Sequence, residues 1–153
     1  MKLTNVETCP LNEIENRKSK TERPGAPVVE NENPNNPYDL ILLDVPCSNT
    51  GVFAKRVQSR WRWPVLDHAG LADLQLTLLR QAARLLAPAG TILYSTCSID
   101  PAENQDRIRA FLAANPALEL VTEESTLPSL NVPPTAPHDG GYFALLRPRN
   151  SVK

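Results

Sequence analysis

Apolar residues fall into a few short runs separated by polar, proline-containing stretches. YDLILLD (Tyr38–Asp44) is a near-continuous apolar run closed by an Asp, and TILYST (Thr91–Thr96) is a second. Runs of this length without polar alternation predict strands buried on both faces of a parallel sheet. ALELV (Ala117–Val121) and YFALLR (Tyr142–Arg147) read as further strands. Between the first two runs, Leu71, Leu74, Leu78, Ala82 and Leu85 recur at helical spacing. They predict a helix capped by Asp67 and stopped by Pro88 and Gly90.

A second helix is signalled by its start. Asp100 suits the cap, Pro101 the first helical position and Glu103 the returning carboxylate of a capping box. Ile108, Phe111 and Leu112 then face the core, and Asn115-Pro116 ends the helix. Strand–helix–strand alternation of this kind predicts an α/β fold with a parallel sheet and helices on both faces.

The remaining stretches predict less structure. Asn5–Cys9 reads as a short strand, and Pro10–Pro37 as a polar tail or exposed loop with little to bury. The organisation expected is therefore a partial strand plus a flexible polar, proline-rich segment over residues 1–37 and a folded unit over 38–150. Val45–Pro64 reads as a loop with a basic, aromatic centre, AKRVQSRWRWP. A proline-rich loop, Leu127–Pro137, leads to HDGG (His138–Gly141).

Composition sharpens this picture in three places. Fifteen prolines against six glycines imply extended connections. A formal net charge of −1 gives no global attraction to nucleic acid, so any basic surface is local, as at Lys55–Trp63. Three cysteines without a C-x-x-C pair favour reduced thiols over a disulfide framework or a zinc site. No apolar stretch approaches the roughly 20 residues that span a bilayer, and the first residues lack an apolar signal core. The expectation is a cytoplasmic protein with no membrane partner.

The candidate chemistry lies just past the two apolar runs. Cys47 sits in DVPCSNTG and Cys97 in YSTCSID, each beyond a strand's carboxyl end. In open α/β sheets that edge is where ligands bind. Two thiols and a carboxylate there suit addition to a pyrimidine. A thiolate adds to cytosine carbon 6, carbon 5 becomes nucleophilic, and a base then removes the carbon 5 proton so that the thiol is eliminated. Cys97 stands just ahead of the cap residue Asp100, and a helix amino terminus lowers a thiol's pKa. Cys97 also has a plainer reading as a small buried core residue, Cys47 as a packed thiol in a structural turn, and Asp44 as a turn or cap. The arginines near Trp61 and Trp63 suit phosphates and stacked bases, or else a solvated loop. A cysteine hydrolase would need His68 or His138 as partner.

DVPCSNTG followed by YSTCSIDPAEN resembles the RNA (cytosine-5) methyltransferases of the Sun/nucleolar-protein family, whose pattern is D-x-P-C-S-[GN]-T-G and then Y-[SA]-T-C-S-[IV] with P-x-E-N. HDGGYFALLRP is similar to that family's final strand. The resemblance covers Tyr38 to Arg149. It implies a partial Rossmann-like fold dependent on S-adenosylmethionine, with RNA, ribosomal RNA above all, as substrate. Cys97 would be the nucleophile and Cys47 would assist release. Asp44 would contact both cytosine and S-adenosylmethionine, and Pro46 would shape the pocket. Lys55 and Arg56 would meet the RNA, Asn12 would stand at a cofactor position, and Glu103 and Asn104 would brace the catalytic loop.

The chain departs from that pattern as well. None of its glycines forms the glycine-rich cofactor loop, and R-R-x-P-D is replaced by KRVQS. The resemblance is therefore to the carboxyl-terminal part of the catalytic domain, lacking its first two strands. Unpaired apolar edges then predict self-association. The competing reading is a non-catalytic remnant that acts as an RNA-binding or assembly module.

Overall fold

The computed structural model describes residues 37–129 and 137–149. The expected strand at Asn5–Cys9, most of the polar segment, and Asn12 lie outside the described residues. Among the described residues four strands form one sheet: β1 (Tyr38–Asp44), β2 (Leu86–Thr96), β3 (Leu118–Thr126) and β4 (Gly141–Pro148), in the order β1-β2-β4-β3. β1 and β2 are parallel, whereas β4 runs antiparallel to both β2 and β3. The sheet is thus mixed, not all-parallel. The connection from β1 to β2 contains a helix and is a crossover. β3 and β4 form a hairpin, and a hairpin can only be antiparallel.

Three helices connect the strands. α1 (Val57–Arg62) and α2 (His68–Leu85) lie between β1 and β2, and α3 (Gln105–Ala114) lies between β2 and β3. The expected loop over Val45–Pro64 is therefore broken by α1 and by single 3-10 turns at Thr50–Val52 and Trp63–Val65. Asp67 caps α2 as expected, its carboxylate accepting from the Gly70 N–H at 2.9 Å. The buried face of α2 is Gln75, Leu79 and Ala82, so the predicted stripe is displaced by one position at its centre. Leucines at 71, 74, 76, 78, 79 and 85 left the phase of the helix open.

The core lies on one face of the sheet. Leu79 and Ala82 of α2 and Ile108 and Phe111 of α3 pack with Ile92, Tyr94, Ala144 and Leu146 of the central strands. Both long helices therefore share this face, in place of the two-faced packing expected. The other face carries Leu42, Leu93 and Leu145 in register across β1, β2 and β4. Leu40 and Leu42 are 47% and 64% exposed. Among the described residues β1 lies at the edge of the sheet with one covered face, so the burial on both faces that was expected is not seen there. No helix among the described residues is long and apolar enough to cross a membrane.

Candidate active site

β1 and β2 are adjacent and parallel, so their carboxyl ends reach the same edge of the sheet, with Asp44 in register with Ser95. The loops that follow carry the two cysteines. Cys47 Sγ lies 3.2 Å from Cys97 Sγ, although fifty positions separate them in the chain. Both are free thiols, and both are half-buried.

A buried polar network fixes this approach. The Glu103 carboxylate accepts from the Ser48 N–H at 2.9 and 3.2 Å and from the Ser48 hydroxyl at 2.7 Å. Asn104 accepts from the Thr96 hydroxyl at 2.7 Å and donates to the Ser98 carbonyl at 2.9 Å. The Thr50 oxygen accepts from the Ile99 N–H, and Ser98 and Thr50 share a hydroxyl contact. The Gly51 N–H donates to the Cys97 carbonyl at 2.9 Å. A Cβ at Gly51 would collide with the Gly140 carbonyl and come within 2.8 Å of the Cys97 carbonyl oxygen, so only glycine fits there. From the core side, the Gln75 amide donates to the Pro46 carbonyl at 2.9 Å.

This arrangement overturns the capping box. Asp100 does close a local turn by accepting from the Ala102 N–H, but α3 begins only at Gln105. Glu103 does not return to that turn, because it crosses to Ser48 of the other loop. Glu103 thereby ties the two cysteine loops together, while Asn104 braces the Cys97 loop from within. Cys97 consequently lies well ahead of the helix, and the helix-dipole argument for its reactivity fails.

The cause of its reactivity is a neighbouring side chain. A hydrogen bond from Cys47 pulls the Cys97 pKa down to about 7, helped by the Arg56 charge and opposed by burial and by Asp44. The Cys47 thiol moves the other way: the same contact with Cys97, together with burial, pushes it well above the ordinary thiol range. The pair thus holds Cys97 ready to ionise and Cys47 protonated.

The other predicted residues divide between this site and its surroundings. Asp44 is exposed at the end of β1, and its carboxylate accepts from the Ser95 hydroxyl at 3.3 Å. Arg56 lies close enough to act on Cys97, whereas Lys55 pairs with Asp139 at 2.9 Å and is turned toward the hairpin. Lys55 is therefore not brought to the thiols. Trp61 is 79% exposed and Val65 84% exposed, beside Arg60 and Arg62. His68 bonds the Trp63 carbonyl and packs edge-on to its ring, and His138 bonds the Asp139 carbonyl. Neither imidazole bonds a thiol, which removes the geometry a cysteine hydrolase needs. Ser48, Asn49, Thr50, Ser98 and Gln75 escaped the sequence reading. The clusters of small polar residues around each cysteine were the available signal.

For a methyl donor, the described residues offer one carboxylate. Asp44, exposed at the open edge of β1, fits contact with a donor's hydroxyl or ammonium groups. The glycine-rich cradle that would close the other side is not among them.

A mixed sheet of this order, with paired thiols at the carboxyl edge of its parallel strands, defines the carboxyl-terminal part of a Rossmann-like methyltransferase domain. The family model described as 16S rRNA methyltransferase RsmB/F matches residues 8–147, and the chain belongs to that family. It is 41% identical over 110 residues to ribosomal RNA small subunit methyltransferase B of Vibrio vulnificus, covering 71% of this chain and 26% of that protein. It is 42% identical over 119 residues to the Klebsiella pneumoniae protein of the same name, covering 76% and 28%. The chain thus spans about a quarter of the length of these curated relatives. Among solved structures, PH0851 superposes with a TM-score of 0.56 at 36% identity, over 71% of this chain and 26% of that one. A methyltransferase homolog from Pyrococcus horikoshii superposes with a TM-score of 0.50 at 26% identity, over 75% and 40%.

Proposed function

We propose that this site belongs to an enzyme that methylates carbon 5 of cytosine in RNA, in small-subunit ribosomal RNA first of all, with S-adenosylmethionine as methyl source. The observation that carries the reading is the pair of sulfurs 3.2 Å apart with opposite protonation preferences. Cys97, ionising near neutral pH, adds to carbon 6 of the ring. Asp44, at the same edge, accepts from the exocyclic amine of cytosine. S-adenosylmethionine, when bound, supplies the electrophilic methyl group.

The second half of the reaction follows from the coupling of the thiols. The largest cause of the raised Cys47 pKa is its hydrogen bond to Cys97. Once Cys97 is a thioether on carbon 6, it no longer accepts that bond as a thiolate. Cys47 then ionises more easily, giving its proton to solvent, and the resulting thiolate takes the carbon 5 proton while the carbon–sulfur bond breaks and Cys97 leaves as a thiolate. One thiol thereby prepares the other for its turn.

Arg56, Arg60, Arg62 and the exposed Trp61 give this edge a local basic and aromatic surface suited to a single-stranded substrate. The exposed basic and aromatic segment also suits a second reading, an RNA-binding or assembly module without turnover. Transfer of tritium from labelled S-adenosylmethionine to small-subunit RNA separates the two. Label recovered as 5-methylcytosine supports the enzyme. RNA bound by this chain without label supports the module.

A further inference from the structure

Asn49 stands between the two cysteines in a way that the reaction scheme does not use. Its backbone is left-handed, with φ 62° and ψ 26°, and among the described residues it alone of the non-glycine residues has positive φ. Asparagine tolerates that region better than most side chains. A turn-forming role alone would leave the amide free to face solvent. Instead, its Nδ2 donates to the Cys47 carbonyl at 3.0 Å, and its Oδ1 accepts from the Cys97 thiol at 3.1 Å.

These two bonds fix the sense of the amide. Turning it over would set Oδ1 against the Cys47 carbonyl, oxygen against oxygen. The group presented to the Cys97 sulfur is therefore an acceptor, which suits S–H and opposes S⁻. With the Cys97 proton directed at Asn49, the Cys47 proton is the one left to point at the Cys97 sulfur. The order of donors, Cys47 to Cys97 to Asn49, follows from the amide's orientation.

We propose that Asn49 is a positioning residue for Cys97: it holds the sulfur beside Cys47, orders the two thiol protons and keeps Cys97 in its thiol form until the substrate takes over the contact. This inference rests on the reading of Cys97 as nucleophile. The groups that face the thiol are Cys47, Asn49, the Arg56 charge and the Asp44 carboxylate. Asn49 sets a brake against the pull of Cys47 and Arg56.

The test is the pH dependence of Cys97 alkylation by iodoacetamide, read peptide by peptide on the whole chain by mass spectrometry. It needs neither RNA nor methyl donor, so a failure of methyl transfer does not alter what it measures. Asn49→Gly keeps the left-handed backbone and removes only the amide. Its alkylation midpoint falls by about half a pH unit, the size of one neutral hydrogen bond. Asn49→Asp places a carboxylate at the same distance, and its midpoint rises by about one unit or more. An unchanged midpoint in Asn49→Gly overturns the proposal, since a purely structural turn residue would leave it there. A raised midpoint in Asn49→Gly also overturns it, because the amide would then be a donor to the thiolate. The opposite shifts expected of the two variants keep the test decisive even if both lose some stability.

Discussion

The Cys47 loop and the basic segment that follows it adjoin in sequence but are held in opposite ways. Val45–Gly51 and Cys97–Asn104 are stitched to each other by hydroxyl, backbone amide and carboxylate groups. Val57–Val65 makes local helical bonds, buries none of its residues and presents Trp61 and Val65 to solvent. The difference matches two tasks. Covalent chemistry on a small ring needs groups fixed within a fraction of an ångström. Contact with a flexible polymer tolerates, and gains from, side chains that adjust.

The most severe way to break the fixed region is to remove its sulfurs one at a time. Cys97→Ala abolishes covalent RNA adducts, because among the described residues no other thiol is set to add to carbon 6. Cys47→Ala allows addition but not elimination, so a protein–RNA adduct accumulates and survives denaturing electrophoresis. An adduct in the Cys97→Ala protein would reverse the two assignments.

Removing the brace is the next largest effect. Glu103→Ala leaves the Ser48 N–H and hydroxyl buried without their acceptor, and the loss of a buried charged partner costs about 3 kcal/mol. Chemical denaturation should show that loss, whereas Trp61→Ala in the exposed segment should stay within about 0.5 kcal/mol of the parent. Equal losses in the two variants would erase the contrast between the regions. The exposed segment should instead respond in binding. Arg60→Ala combined with Arg62→Ala is expected to weaken RNA binding about tenfold and to flatten its salt dependence, with no change in the unfolding midpoint. Loss of fold in that pair, rather than of affinity, would show the segment to be structural.

How far these regions were readable before the structure depends on the kind of interaction. The four strands and the two long helices follow from local patterning, and Asp67 caps where its sequence context says it should. The mixed sheet and the single covered face seen among the described residues do not follow, since a short apolar run looks alike on a buried strand and on one that, like β1 among those residues, lies at an edge. Spacing alone could not bring Cys47 and Cys97 together; two strands ending at one edge did. The misread capping box shows the limit most clearly. Asp100-Pro101-Ala102-Glu103 carries every local sign of a helix start, yet Glu103 is drawn fifty-five positions back to Ser48. A buried donor pair outweighs a cap open to solvent. The activation of Cys97 was expected for the wrong cause, a helix terminus, because a thiol partner distant in sequence leaves no trace in the local pattern.

The smallest effect separates the two sources of that activation. The Cys97 thiolate exists above its pKa of about 7, so alkylation of Cys97 should rise with pH through that value and level off above it. Cys47 supplies the larger pull and Arg56 a smaller one, through space. Arg56→Ala removes a positive charge that favours the thiolate, so the midpoint moves up by a few tenths of a pH unit, and alkylation below the midpoint slows accordingly. Because Arg56 is exposed, salt screens it. In about 1 M salt, parent and variant should therefore converge, while the Cys47 contribution, a direct contact at 3.2 Å, should persist. A shift in Arg56→Ala that survives high salt would mean that the guanidinium touches the sulfur. Arg56 would then belong with the fixed chemistry of the cysteine loops and not with the open surface beside them.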